Sequence, residues 1–436
     1  MSVDSSFTRF YQPPVAFLPG SSARPASDGS PIDRALLGSA LAGAVAIADG
    51  LLARLQNGIV AFGQIEAEVA RLDDRLADLT DLLTPLLPTE SRTVGDVDAR
   101  AYQSSVDDFG PFLADACAVY DIYFGVVRIS AMTLLQRAAQ VAATAQAVLH
   151  DLPYSLLDRT QIVMLIANIG RMLKTVAQEL APDSAPLVDS PASDSPASDS
   201  PVSDSPVSDS PAPRPATVHS GAEAVRRAYS QCWQSKGSDG AEWSQAVAFY
   251  RWKVGHHFFD LCTIFCGDAL RDAQAALAGG DENAAVTTLA LADSFLRGTT
   301  AAMWYAGDFP ANLYRDAVRP SMVMPGKTSG FSGDQNADYN RMKDAKDRLK
   351  KFLRQGYGPD LAGLSPRLLR AFMQFHEADI EDSEHHLIIA AHKVGTDQSL
   401  AQKEWQAELP GHIHRQKAVD VLREMAESKR REISAV

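Results

Sequence analysis

Cysteine is scarce, with four residues (Cys117, Cys232, Cys262 and Cys266) in a chain of 436. So few and so scattered, they exclude a disulfide scaffold. Cys262 and Cys266 sit one helical turn apart but are too poor in partners for a cysteine-type zinc site. They read as buried free thiols of a reducing compartment. Positive charge is also short: 41 basic against 54 acidic residues leave a net charge of −13, and no basic cluster stands out. Such a chain repels phosphate backbones and anionic lipid, which argues against nucleic-acid or membrane-surface binding. Long apolar runs are missing. The longest, "ALLGSALAGAVAIA" at 35–48, falls short of the ~20 residues a membrane span needs and reads as a buried helix. The opening "MSVDSSFTRFYQPP" lacks a basic segment followed by an apolar one. Together these absences give the expectation of a soluble cytoplasmic protein. Clean strand alternation between hairpin turns is absent as well.

What the chain does have is helical periodicity. Apolar residues recur at three- and four-residue spacing over 35–83, 126–152 and 158–180. In the second half, Ser220 and Glu223 form a capping-box pattern, and "DENAAVTTLALADSFLRG" predicts a helix ending at Gly298. The fold class expected is all-α, a multi-helix bundle. One segment stands apart. Residues 189–216 repeat Asp-Ser-Pro-Ala/Val-Ser. It has no aromatics, and its regular prolines block helix and sheet ladders, so it reads as a solvated linker. It divides the chain into an N-terminal helical lobe (1–181), a linker (182–217) and a C-terminal helical lobe (218–436).

Residues 298–340 predict a long irregular segment. It holds Trp304, Tyr305, Phe309, Tyr314 and Phe331, with Arg319 and Lys327 among several Gly and Ser. Many rings with a cation suit a pocket for an aromatic zwitterion. Long structured loops of this kind carry function more often than they merely cover a bundle.

Histidine is concentrated in "SEHHLIIAAHKVGTD" at 383–397. Ser365 followed by Pro366 starts a helix, and Lys393 with Gly395 stops it. The helix spans about 28 residues, or ~42 Å. His385 and His392 are nearly eclipsed, whereas His386 lines up with Asp382, Ser383, Ile389, Ala390 and Lys393. The three histidines therefore cannot bind one metal together. A di-iron site would need Glu-x-x-His on two helices. Asp382 and His385 match loosely, but no second copy exists: His256 and His257 in "VGHHFFD" have no carboxylate three residues earlier. A heme needs one axial imidazole beside small residues, and Ile389, Ala390 and Ala391 provide that. On pattern alone, a packed structural histidine remains the default reading.

The segment resembles the tryptophan and indoleamine dioxygenase superfamily of heme-dependent aromatic oxygenases. There a proximal histidine lies on a long C-terminal helix, and a Gly follows nine residues on. Here His386 is followed by Val394-Gly395 and then Thr396-Asp397-Gln398-Ser399. The stretch His386-Leu387-Ile388-Ile389-Ala390 is similar to the pyrrolnitrin-pathway branch. So are "VRIS" at 127–130 and "RPSMVMP" at 319–325, the latter followed by "GFSG" at 330–333. The loop after Gly395 departs from the family's Gly-Thr-Gly-Gly-Ser run, which leaves the substrate open.

The resemblance implies heme b ligated by His386. No His-x-x-x-Cys or Cys-x-x-Cys-His pattern occurs on this helix, so the heme is expected to be non-covalent. It also implies O2 and an aromatic amino acid, tryptophan or a substituted tryptophan first, as substrates in specialised metabolism. Arg319, then Arg128, would pair with the substrate carboxylate. Ser332 or Ser399 would hydrogen-bond substrate or oxygen. Lys393, Arg297 or Lys327 would meet the heme propionates, and Trp304, Tyr305 and Phe331 would supply ring walls. The superfamily includes dimers and tetramers, a homodimer being one option here. Two alternatives stay open: tyrosine-type hydroxylation or a pyrrolnitrin-type rearrangement on the same fold, and a non-heme helical binding protein or di-iron enzyme.

Overall fold

The computed structural model describes residues 16–20, 34–56, 62–83, 117, 120–121, 123–129, 132–180, 239–322, 335–394 and 418–434. The repeat linker and both of its expected boundaries lie outside them, as does the capping box at Ser220 and Glu223.

The architecture is all-α, with one two-stranded parallel sheet among the described residues: β1 (Ala16–Pro19) pairs with β2 (Val126–Ile129), Ala16 opposite Val126. Val127, Arg128 and Ile129 thus lie on a strand, where apolar spacing predicts helix. The helix begins only at α3 (Leu134–Asp151), whose capping box joins Thr133 and Gln136. The spacing over 35–83 resolves into α1 (Arg34–Gln56) and α2 (Phe62–Leu83). In α1, Leu37, Leu41, Ala44, Val45, Ala48, Leu51 and Leu55 form one buried stripe. This stripe packs on α4 (Arg159–Leu180) and α2. By length and composition α1 is also the one described helix that could cross a membrane.

The second half is organised around α5 (Asp239–Ala278), a helix of 40 residues, about 60 Å long. Against it pack α6 (Glu282–Ala306) and α7 (Ala337–Tyr357), and α6 in turn carries α8 (Pro366–Val394). The Ser365 hydroxyl caps α8 by accepting from the Leu368 amide at 3.2 Å, so its start and its end at Val394 match the sequence reading. The C-terminal α9 (Ala418–Ser434) lies on α8.

α6 does not stop at Gly298. It continues to Ala306 and is closed by Gly307. Gly298 is there for packing: a Cβ would fall 2.4 Å from Asn168 Oδ1 of α4 and 2.8 Å from Cys262 Sγ of α5. Trp304 and Tyr305 are therefore helical, and the irregular segment is shorter than expected. One continuous core joins both halves of the chain, from Leu41 and Leu72 through Phe258, Phe265 and Phe295 to Phe375. Cys262 and Cys266 belong to it as free thiols, and burial holds both well toward the protonated form.

Buried ion pairs tie the elements together, two of them across the halves of the chain. Arg251 of α5 reaches Asp151 at 2.7 Å and Asp308 at 2.9 Å. Arg128 of β2 reaches Asp121 at 2.7 Å and Asp338 of α7 at 2.6 Å. Lys346 and Lys429 both lie 2.7 Å from Asp379 of α8.

Candidate active site

α5 presents Trp252 and His256 one turn apart. Their rings lie 4.3 Å apart, and His256 stacks on Phe124 at 4.0 Å and 18°. Tyr120 and Tyr314 complete the ring cluster, Tyr120 at 6.3 Å from His256 and Tyr314 edge-on to Trp252 at 5.5 Å. Tyr314 comes from the short helical run at 311–321, which includes a π turn, Tyr314–Val318. Such turns recur at functional sites. The next histidine, His257, donates from Nε2 to the Phe124 carbonyl at 2.6 Å. One residue thus fixes the backbone of Phe124 while its neighbour stacks on the ring.

α5 can approach this closely because position 255 is glycine. A Cβ there would fall 2.5 Å from the Ala306 Cβ and 2.6 Å from its Cα. Beyond that crossing, Trp304 of α6 donates from Nε1 to His385 Nδ1 at 3.0 Å. Its neighbour on α8, His386, is half-buried and close enough to His256 and to Asp382 to perturb the ionisation of both. Asp382 accepts from Thr299 at 2.7 Å and Thr300 at 2.9 Å, and burial raises its carboxyl.

The hydrogen bonds assign tautomers. A carbonyl only accepts, so the 2.5 Å contact between His256 Nδ1 and Trp252 O places the proton on Nδ1. Nε2 then carries a lone pair, and among the described residues it makes no hydrogen bond. Burial lowers the imidazole to about pKa 3, with further repulsion from His257 and His386, so His256 is neutral. A neutral imidazole with Nδ1–H tied to a carbonyl is the form that ligates a metal through Nε2. His385 has the opposite arrangement. The indole N–H only donates, so His385 Nδ1 is the acceptor and, in the neutral ring, Nε2 keeps the proton. That disfavours His385 as a ligand.

The other expected site residues divide. Trp304 meets His385, whereas Tyr305 is fully buried in the core. Arg319 is half-buried with its charge acting on the Tyr314 phenol, which puts a cation beside the rings. Arg128 is instead committed to Asp121 and Asp338 on the sheet side, because two carboxylates and the Pro19 carbonyl use its donors. Arg297 lies half-exposed in ion pairs with Asp293 and Glu381. Lys393 donates to the Phe309 carbonyl and lies 4.8 Å over its ring. Burial brings its pKa down to about 8, against the pull of Asp308. Neither cation matches the role of a free propionate partner. Lys327, Phe331, Ser332 and Ser399 lie outside the described residues.

His256 escaped the sequence reading, which tested it only for a carboxylate three positions earlier. Its signal is Trp252 at i−4 on the same helix. Among the described residues no three His, Cys, Asp or Glu side chains gather as metal ligands. The residues do fit a single-imidazole cofactor such as heme. His386 stands beside half-buried Ile389 and buried Ala390, and the neutral His256 imidazole lies near enough to be affected by it, with Phe124 and Trp252 packed on the His256 ring.

One curated relative, the 3-methyl-L-tyrosine peroxygenase of Streptomyces lavendulae, is 30% identical over 122 residues, which is 28% of this chain and 29% of the relative. A solved structure of reduced SfmD, soaked with sodium hydrosulfite, aligns over 84% of this chain and 97% of its own at 20% identity and a TM-score of 0.39. The sequence model of the SfmD 3-methyl-L-tyrosine peroxygenase family matches residues 53–368, a span that includes His256 and ends before His386. The chain belongs to this heme-dependent peroxygenase family, within the tryptophan/indoleamine dioxygenase and PrnB-like group of aromatic oxygenases.

Proposed function

We propose that this protein is a heme-dependent oxidoreductase of the peroxygenase or oxygenase type, acting on the ring of an aromatic amino acid. The family match moves a tyrosine-type substrate ahead of tryptophan, reversing the order expected from the sequence. The observation that carries the reading is His256, neutral within a cluster of aromatic rings and close enough to His386 of a separate helix to be affected by its charge.

On this reading His386 would hold the heme iron, and His256 would be the second histidine near it. His256 is held neutral with Nε2 available, so it serves without a proton having to leave. Bound heme would supply the chemistry that transfers oxygen from dioxygen or a peroxide to the ring. The protein's part is position and dryness. Trp252, Tyr314 and Trp304 provide flat walls for a substrate ring, and Arg319 is placed to pair with its carboxylate. The described cysteines are buried with raised thiols, Cys117 to about 11, so the heme b is proposed to be non-covalent.

The test is a spectrum. Full-length protein expressed with a heme precursor should show a Soret band. His386→Ala and His256→Ala, made singly, should each change its position or intensity. Colourless wild-type protein, or two variants with unaltered spectra, would refute the heme reading. Product mass after turnover with tyrosine, 3-methyltyrosine and tryptophan then identifies the substrate.

A further inference from the structure

Lys253 of α5 lies one turn before His256 and His257 and is half-buried. Its Nζ stands 5.2 Å over the Tyr123 ring, and its charge reaches His257. Tyr123 meets Phe124 edge-on at 4.9 Å, and Phe124 is the ring stacked on His256. Lys253 therefore stands at the edge of the ring cluster of the candidate site. The side chain beneath it is fixed. Ser321 gives its own proton to the Val318 carbonyl at 2.6 Å, so in the 2.7 Å bond between Tyr123 and Ser321 the phenol is the donor. Burial pushes that phenol up, so the ring offers its π face and no negative charge.

Buried cations elsewhere in the fold are matched: Arg128, Arg251 and Lys346 each meet a carboxylate. Lys253 differs. Among the described residues it has a ring and no carboxylate, and burial lowers its ammonium with no opposing pull. The cation–π contact offsets part of the cost of drawing that charge out of water. What it lacks there is a counter-charge. An ammonium on a flexible stem is suited to supply a charge-assisted hydrogen bond to an incoming carboxylate.

We propose that Lys253 is the cation that receives a ligand carboxylate at the ring cluster, either a propionate of the heme or the carboxylate of the amino-acid substrate. The assignment rests on the function proposed above. The propionate is the first of the two sources, because Arg319 already offers the substrate carboxylate a cation, whereas Arg297 and Lys393 are engaged elsewhere.

The experiment titrates hemin, and separately its dimethyl ester, into heme-free full-length protein and follows the Soret band. Lys253→Met keeps the stem and removes the charge. It should weaken hemin binding at least about tenfold and leave the ester unchanged, and Lys253→Arg should restore hemin binding. L-tyrosine and tyramine, which lacks the carboxylate, are then titrated into the heme-loaded proteins. A loss of about tenfold for L-tyrosine alone in Lys253→Met, with hemin unchanged, makes the substrate carboxylate the source. The proposal is overturned if folded Lys253→Met loses affinity for neither hemin nor L-tyrosine, or loses it equally for hemin and ester or for L-tyrosine and tyramine. Should Lys253→Met fail to fold, wild type decides: no preference for hemin over its ester and none for L-tyrosine over tyramine overturns the proposal. Wild type that takes up no heme defeats the proposed function and this assignment with it. Wild type that takes up heme, matched by Lys253→Met in every titration, defeats this assignment alone.

Discussion

Gly255→Ala tests the helix crossing on which the candidate site depends. In an open helix the change from glycine to alanine stabilises by about 0.5–1 kcal/mol. Gly50 of α1 is such a position, exposed and with nothing within 4 Å of an added methyl. At Gly255 the new methyl would lie 2.5 Å from the Ala306 Cβ, 2.6 Å from its Cα and 2.8 Å from its N. A normal contact begins at 3.4 Å, so α5 and the end of α6 must part by roughly 1 Å. The obstacle is backbone, which cannot rotate away as a side chain can. Overpacking costs about 1–3 kcal/mol, and the upper end applies here. Set against the helix gain, Gly255→Ala should lose about 2 kcal/mol, while Gly50→Ala should gain up to about 1 kcal/mol. Urea unfolding followed by far-UV circular dichroism measures both. The same displacement moves His256, the next residue, relative to Trp304, so heme titration of Gly255→Ala should show weakened uptake with Gly50→Ala unaffected. Wild-type stability and heme uptake in Gly255→Ala would refute the reasoning.

Two further outcomes concern buried carboxylates. Asp379 is held well below the ordinary range because Lys346 and Lys429 outweigh the effect of burial, so its stabilisation is present above about pH 4 and is lost as pH falls below it. Lys429→Met should shrink that acid-sensitive part and free α9 from α8, seen as faster proteolysis of the C-terminal helix. Asp260 is the reverse case: burial, then repulsion from Asp338, pushes its carboxyl well up. The fold binds that proton, so stability falls as pH rises from about 4 through the raised value. Asp260→Asn, measured by urea unfolding at pH 5 and pH 8, should decline less between them than the wild type.

The long helices were legible because their signals are local. Ser365 and Pro366 open α8, and Lys393 with Val394 closes it. Repeated apolar spacing marks α1 and α4. Errors arose where the cause was distant in sequence. Gly298 looks like a stop in a local window, yet it is a contact with Asn168 and Cys262, and nothing near residue 298 announces either. Val127 to Ile129 pair with Phe17 to Pro19, residues over a hundred positions away, so periodicity alone returned a helix. The buried ion pairs of Arg128 were illegible for the same reason: its partner Asp338 is 210 residues distant.

The histidines show why residue type and helical phase identify a neighbourhood better than a role. Phase separated His386 from His385, and the structure keeps them apart: His385 takes the Trp304 N–H while His386 lies toward His256 and Asp382. Phase could not say which imidazole nitrogen holds the proton. That depends on a single partner atom, an indole N–H for His385 and a carbonyl oxygen for His256, and the two partners impose opposite tautomers. The bond to Trp252 O is within one turn of α5, so the ligand-competent form of His256 is written locally by its own helix. The choice of His256 as part of the site is not local, because it needs Phe124 stacked on one side and α8 brought near. A helix that commits Nδ1 of its own histidine writes the ligand-competent tautomer locally, and on that criterion "VGHHFFD" supplies a second candidate beside His386 of "SEHHLIIAAH".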